Sequence, residues 1–316
     1  MREGIYTVIF LCSGEVTCKI IEIIVSGETT YKLLIMIKIN ESPRDAMQAF
    51  KKIIPVKDKI EYINLLLKVG FDIVDVGSFV SPKAVPQMKD TGDVLNHLIL
   101  DTTFSKISVL VGNSYWAKNL AEYDIVDYIN YPFAISEIFQ KKNLKTNLNQ
   151  SLKQIDKIID LCIQKNKKPI ISISEAFGNP YEEDWGIDIL MDWIEILYSK
   201  GLRYIPLADT TASGSAHLIG LVFTNVLSEF SDVEFNFHLH SKQEEAIPKI
   251  EAAYEAGCRN FDTVFNGMGG CPMTGKELVA NTDTFLFYEW LIKNEIENNL
   301  NKDALNPAIE KARIIF

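Results

Sequence analysis

Phe235-Asn236-Phe237-His238-Leu239-His240 is an apolar run that ends in two of the chain's four histidines. The run fits a strand, and side chains two residues apart on a strand leave from the same face. Two imidazoles would then project together from one strand end, spaced to bind a single metal ion. Two histidines that only make hydrogen bonds would leave the same trace, so the rest of the chain decides between the readings.

Outward from this run, the segment beginning at Met36 alternates short β-branched runs with longer helical patterns. The runs are Ile37–Asn40, Asp72–Val76, Ile107–Val111, Ile125–Tyr131, Pro169–Ser174, Arg203–Leu207, Glu234–Leu239 and Asn260–Val264. The helix-like segments are Val56–Val69, Ala84–Leu100, Tyr115–Glu122, Leu148–Gln164, Asp184–Ser199, Ser213–Glu229, Lys242–Ala256 and Thr282–Asn294. Gly70, Gly201 and Gly257 each follow a helical pattern, where a left-handed stop is needed. Alternating strand and helix implies parallel strands joined by crossover helices. Eight such units predict a (β/α)8 TIM barrel, a single domain over residues 36–316. No glycine-rich phosphate fingerprint follows the first strand, which argues against an open dinucleotide-binding sheet.

Residues 1–35 stand apart. They hold two short apolar runs, Ile5–Cys12 and Ile20–Val25. Glu3 sits in the would-be basic region of a secretory signal, and no small-residue cleavage site follows. The stretch is expected to be a dispensable extension, with Met36 the natural start of the domain.

The chain has 316 residues, is 47% hydrophobic and carries a net charge of -10, a composition that suits a soluble globular protein and not a nucleic-acid-binding surface. No apolar stretch reaches 18 residues, so no membrane span is expected. The five cysteines are an odd number without framework spacing, as in a reducing cytoplasm. Cys162 and Cys258 lie in helical patterns and read as core.

In a barrel of this kind chemistry gathers at the C-terminal ends of the strands. Unusual polar residues fall there. Arg44 and Asp45 follow the first strand, and Asp75 lies in the second. Asp209 ends the sixth strand, and His238 and His240 end the seventh. Cys271 lies in the glycine-rich loop after the eighth, with Asn281 beyond it. Singly, Asp45 or Asp209 is equally well a helix N-cap, and Cys271 is either a proton-handling thiol or an unreactive loop residue. Together, Asp45, His238, His240 and Asn281 would supply two oxygen and two nitrogen ligands. That set suits Mg²⁺ or Mn²⁺ better than Zn²⁺. Such an ion can act as a Lewis acid on a hydroxyl and a carbonyl oxygen, with Arg44 beside it to hold negative charge on oxygen.

Four stretches together resemble the 3-hydroxy-3-methylglutaryl-CoA lyase family. They are Pro43-Arg44-Asp45-Ala46-Met47-Gln48, Ser78-Phe79-Val80-Ser81-Pro82-Lys83-Ala84-Val85-Pro86-Gln87-Met88, His238-Leu239-His240 and Gly269-Gly270-Cys271-Pro272-Met273. The resemblance implies a metal-dependent TIM-barrel lyase that cleaves 3-hydroxy-3-methylglutaryl-CoA to acetyl-CoA and acetoacetate, as in leucine catabolism. It implies metal ligation by Asp45, His238, His240 and Asn281. It implies catalytic roles for Arg44, Asp75, Asp209, His238 and Cys271, and substrate contacts by Gln48, Ser136 and Asn143, with Phe139 nearby. The partner it implies is an acyl-CoA, with neither nucleic acid nor membrane, in a cytoplasmic protein for which a homodimer is allowed. The chain departs from the family where Ser241-Lys242-Gln243-Glu244 follows the histidine pair in place of Asp or Asn and then Gly. Asp75 is also one methylene shorter than the usual Glu. Two other readings compete: a condensing enzyme of the isopropylmalate or citramalate synthase type, and a barrel that binds acyl-CoA without turnover.

Overall fold

The computed structural model describes the backbone of residues 5–11, 17–25, 28–101, 103–270 and 279–316, and the side chains of those residues from Met36 onward. The apolar runs of the first segment form strands: β1 (Ile5–Leu11), β2 (Thr17–Val25) and β3 (Glu28–Ile35) make an antiparallel meander. Alternating β-branched residues at Ile20, Ile21, Ile23 and Ile24 carry the propensity for it.

The remaining strands are β4 (Lys38–Glu41), β5 (Ile73–Phe79), β6 (Lys106–Val111), β7 (Tyr128–Ala134), β8 (Lys168–Ser174), β9 (Tyr204–Asp209), β10 (Glu234–Ser241) and β11 (Asn260–Thr263). From β5 on, each pairs in parallel with the one before it, and β11 pairs in parallel with β4, Asn260 opposite Lys38, so the sheet closes. The chain is a (β/α)8 TIM barrel, and its strands fall on the eight expected runs. Among the described residues no helix is long and apolar enough to cross a membrane.

Strand alternation sorts the barrel into two faces. Outward residues such as Val109, Ile129, Ile171, Leu207 and Phe237 are buried against the helices. There α2 (Val56–Val69), α6 (Leu148–Gln164) and α8 (Ala216–Glu229) present apolar stripes. Gly70 ends α2 at φ 89°, a backbone angle where any side chain is strained. Cys162 and Cys258 are buried and free, and burial pushes both thiols up to about 12. Inward, Ile73, Tyr128, Ile170 and Tyr204 form a small separate apolar layer toward the N-terminal end of the barrel.

Several helical features differ from the sequence expectation. Ala84–Leu100 is not one helix but a 3₁₀ turn at Pro86–Met88 followed by the short α3 (Thr91–Leu95). Pro86 lacks the N–H that a continuous helix would use. The buried Gln87 side chain instead bonds the backbone of Ile54, Phe50 and Lys52. Besides the six-residue helix Pro43–Gln48, two longer helices were not expected. One is α5 (Glu137–Leu144), whose N-cap Ser136 accepts the Phe139 N–H. The other is α11 (Lys302–Ile315), whose Lys311 bridges Asp58 and Glu61 on α2.

Candidate metal centre and catalytic cleft

His238 and His240 leave the inner face of β10 with their Nε2 atoms 3.0 Å apart. The other ring nitrogens fix the tautomers. His240 Nδ1 lies 3.1 Å from the Thr210 carbonyl oxygen, which only accepts, so Nδ1 carries the proton. His238 Nδ1 lies 2.9 Å from Asp262 Oδ2 and donates to it. In the neutral rings both Nε2 lone pairs then face one another, an arrangement that a proton on His238 Nε2 or a cation between the rings relieves. Burial works to lower the His238 pKa, but the hydrogen bond and charge of Asp262 outweigh it and the net shift is upward. Burial and the neighbouring His238 lower His240 to about 4.

Asp45 supplies the carboxylate. It lies in α1 (Pro43–Gln48), a short helix that begins with Pro43 directly after β4, so the strand end aims it at the barrel mouth. Its Oδ1 accepts Arg44 Nη1 at 2.8 Å and Gln48 Nε2 at 2.7 Å, and its Oδ2 lies 3.8 Å from His240 Nε2. Burial raises its pKa, but Arg44 and the two histidines outweigh burial and hold the carboxyl well below the usual range. One ligand atom from each of Asp45, His238 and His240 lies within 4.8 Å of the others. Two imidazoles and one ionised carboxylate fit a divalent cation.

Asn281 reaches the group through β12 (Ala280–Asn281), which pairs antiparallel with β10 and sets Asn281 opposite His240. Its Nδ2 donates to Asp45 Oδ2 at 2.8 Å and to the Met268 carbonyl. An amide nitrogen is no ligand, so a ligating role falls to its Oδ1. Gly269, at φ 106°, packs where an added Cβ would sit 2.6 Å from Asn281 Nδ2 and 2.9 Å from the Asp45 carbonyl oxygen.

Arg44 is buried and bonds Asp75 Oδ2 through Nε (2.9 Å) and Nη2 (2.6 Å). The acids Asp75 and Asp45 hold the guanidinium charged against the cost of its burial. Burial pushes Asp75 upward, with Arg44 pulling against it. Asp75 Oδ1 is buried without a hydrogen-bond partner.

Asp45, His238, His240, Arg44 and Asp75 line a cavity of about 440 Å³ at the C-terminal mouth, together with Gln48 and Asn143, while Asn281 stands behind Asp45. Asp209 does not share it, which corrects the expected catalytic position. It has the strand phase of Ile205 and Leu207, so it points outward. There it accepts the N–H groups of Ser213 and Gly214, and Lys249 lies 3.8 Å away. Ser136 is also outside the cavity, occupied as the N-cap of α5 and bonded to Glu183. Cys271 lies outside the described residues.

Sequence reasoning missed Asp262. It follows from the pairing of Phe237 with Phe261, which sets His238 beside Asp262 on the inner face. Asn40 (2.9 Å) and Asn236 (2.6 Å) donate to its Oδ1, so its Oδ2 is fixed for His238.

The HMGL-like family model matches residues 36–299. The cytoplasmic 3-hydroxy-3-methylglutaryl-CoA lyase of Rattus norvegicus is 30% identical over 230 residues, 73% of this chain and 66% of that protein. The hydroxymethylglutaryl-CoA lyase YngG of Bacillus subtilis is 27% identical over 267 residues, 84% of this chain and 88% of that one. An HMG-CoA lyase from Acinetobacter baumannii, solved with coenzyme A and 3-methylmalate, superposes with a TM-score of 0.83 at 26% identity. The superposition covers 89% of this chain and 91% of that one.

Proposed function

The chain belongs to the HMGL-like family, and from that footing we propose that it is a metal-assisted carbon–carbon lyase cleaving 3-hydroxy-3-methylglutaryl-CoA to acetyl-CoA and acetoacetate. The observation that carries the reading is the convergence of Asp45, His238 and His240 beside the buried, charged Arg44 at the head of one cavity. Mg²⁺ or Mn²⁺ held by those three residues, with Asn281 at the fourth position, would polarise the substrate's tertiary hydroxyl.

The chain's own residues supply the rest. Arg44, fixed by Asp75 and Asp45, orients the thioester and stabilises the enolate oxygen of the departing acetyl-CoA. Asp262 holds His238 in the tautomer that turns Nε2 to the cleft. The hydroxyl proton leaves as the C–C bond opens, the electron pair passes to the enolate, and a proton returned to carbon completes acetyl-CoA. His238, Asp75 and Cys271 are the candidates for that proton work. Asp209 drops out because it faces away. The same reading assigns catalysis to residues 36–316 and keeps residues 1–35 outside it.

The test is direct. Purified protein with Mg²⁺ or Mn²⁺ and 3-hydroxy-3-methylglutaryl-CoA is expected to release acetoacetate and acetyl-CoA in equal amounts. Free CoA released only from acetyl-CoA plus a 2-oxo acid would instead identify a condensing enzyme.

A further inference from the structure

The interior of a (β/α)8 barrel is ordinarily filled by bulky branched side chains. Ile73, Ile170 and Tyr204 obey that rule and floor the cavity. Above them the inward residues of β6, β7 and β8 depart from it in part: Ser108, Asn130 and Ser172 line the cavity among Leu110 and Pro132. Ser108 is 2% exposed, and its hydroxyl has no hydrogen-bond partner. Next to it on β5, Asp75 pairs with Ser108 in register, and Asp75 Oδ1 and the Ser78 hydroxyl are likewise buried and unpartnered. Ser172 donates to Asn130 Oδ1 at 2.9 Å.

Buried polar groups are as a rule paired, and a cluster of unpaired ones around one cavity marks where a ligand brings the partner. The chemistry of that partner follows from what the wall offers. Ser108, Ser78 and Asn130 donate, and Asp75 Oδ1 accepts. No lysine or arginine is on the three strands at this level, since Lys106 and Lys168 lie at their N-terminal ends, and Lys145, which also lines the cavity, donates to the Lys142 carbonyl. Arg44 is engaged by Asp75 and Asp45. A carboxylate would meet Asp75 Oδ1 unfavourably, whereas a hydroxyl can both give and receive.

We propose that the β6–β8 wall is a polar subsite that binds a hydroxyl on the acyl group, so that the substrate class is 3-hydroxyacyl-CoA esters with a further hydroxyl. This rests on the lyase reading above, which supplies the ester and its attachment at Arg44 and the metal centre. A site built to hydrogen-bond a substrate hydroxyl discriminates strongly against the analogue that lacks it, whereas an apolar pocket does not.

The experiment compares two esters that differ by one oxygen, 3-hydroxy-3-methylglutaryl-CoA and its 3-hydroxymethyl counterpart, on the Mg²⁺-loaded full chain. Acetyl-CoA release is followed for both. The wild type is expected to prefer the hydroxymethyl ester in kcat/KM by at least about tenfold. Ser108→Ala combined with Asn130→Leu is expected to bring the ratio to about one, with the far-ultraviolet dichroism and the Mn²⁺ affinity of the wild type retained. Equal kcat/KM for the two esters in the wild type, or a preference the double variant keeps, overturns the subsite. If neither ester is cleaved the lyase reading falls, and the dissociation constants of the two intact esters decide the subsite by the same ratio.

Discussion

From β10 through β11 and β4 to β5, the inner surface of the barrel holds His238, His240, Asp262, Arg44, Asp45 and Asp75. From β6 to β8 it holds Ser108, Asn130 and Ser172 among Leu110 and Pro132, with no charged residue on those strands at that level. Both walls carry polar groups, yet they satisfy them differently. On the charged wall each ionised group has an opposite or hydrogen-bonding neighbour: Arg44 with Asp75 and Asp45, Asp262 with His238, Asn40 and Asn236. Removing one member strands another, which is costly in a buried network. On the neutral wall the Ser108 hydroxyl is unpartnered, and Ser172 and Asn130 bond each other. Removing one strands little, so its substitutions act on what enters the cavity. One wall is built to hold a charged reaction centre, and the other to read the substrate.

The sharpest way to break that division is Arg44→Met. Turnover is expected to fall by about 10²–10³-fold or more, the range for loss of an oxyanion-stabilising group, while metal content measured by emission spectroscopy stays near that of the wild type. A variant that turns over normally would remove Arg44 from the chemistry. Next in size, Asp262→Ala should weaken Mn²⁺ binding by about 10–100-fold, as loss of a residue that orients a ligating histidine does. Ser172→Ala on the opposite wall should leave that affinity within about twofold. Asp262→Asn retains an oxygen that accepts from His238 Nδ1 and should fall between the two. Calorimetric titration of the three variants ranks them, and equal losses on both walls would erase the contrast.

Gly269→Ala tests the packing behind the charged wall. The new Cβ would strike Asn281 and the Asp45 backbone at a left-handed φ, so a loss of about 2 kcal/mol in urea unfolding is expected, along with weaker metal binding. The smallest effect concerns Glu41. This acid is fully buried at the end of β4, where it accepts the Thr263 and Thr284 hydroxyls and the Phe265 N–H. Burial raises its pKa to about 8 from 4.5. The folded protein therefore holds a proton that the unfolded chain releases, and stability falls as pH rises through 4.5 to 8. Glu41→Gln should flatten the decline between pH 6.5 and 8, where Asp72 and Asp209, raised to about 6, contribute least. The midpoint of thermal unfolding across that range reads it out.

Much of this was legible in the residues. Eight β-branched runs separated by helical patterns state parallel strands with crossover helices, and the missing glycine-rich fingerprint after the first strand favours the barrel over an open doubly wound sheet. The histidine pair and Arg44-Asp45 were legible because strand ends gather the site. Asp262 was hidden, since its partner is set by the register between β10 and β11, which no local pattern states. Asp209 illustrates the reverse case. The rule that chemistry sits at strand ends drew attention to it, yet its shared phase with Ile205 and Leu207 already pointed it outward. Pro86 carried the signal that Ala84–Leu100 would break. The apolar spacing of Leu305, Ala308, Ile309 and Ala312 carried the signal for α11.

The central claim is that the two imidazoles and Asp45 hold one divalent ion at the head of the cavity. Electron paramagnetic resonance of Mn²⁺ titrated into the full chain tests it most directly. The account predicts one tightly bound Mn²⁺ per chain with nitrogen coupling from imidazole, and loss of that coupling and most of the affinity in the His238→Ala, His240→Ala double variant. Mn²⁺ that stays free, or that binds without nitrogen coupling and equally well in the double variant, would contradict it.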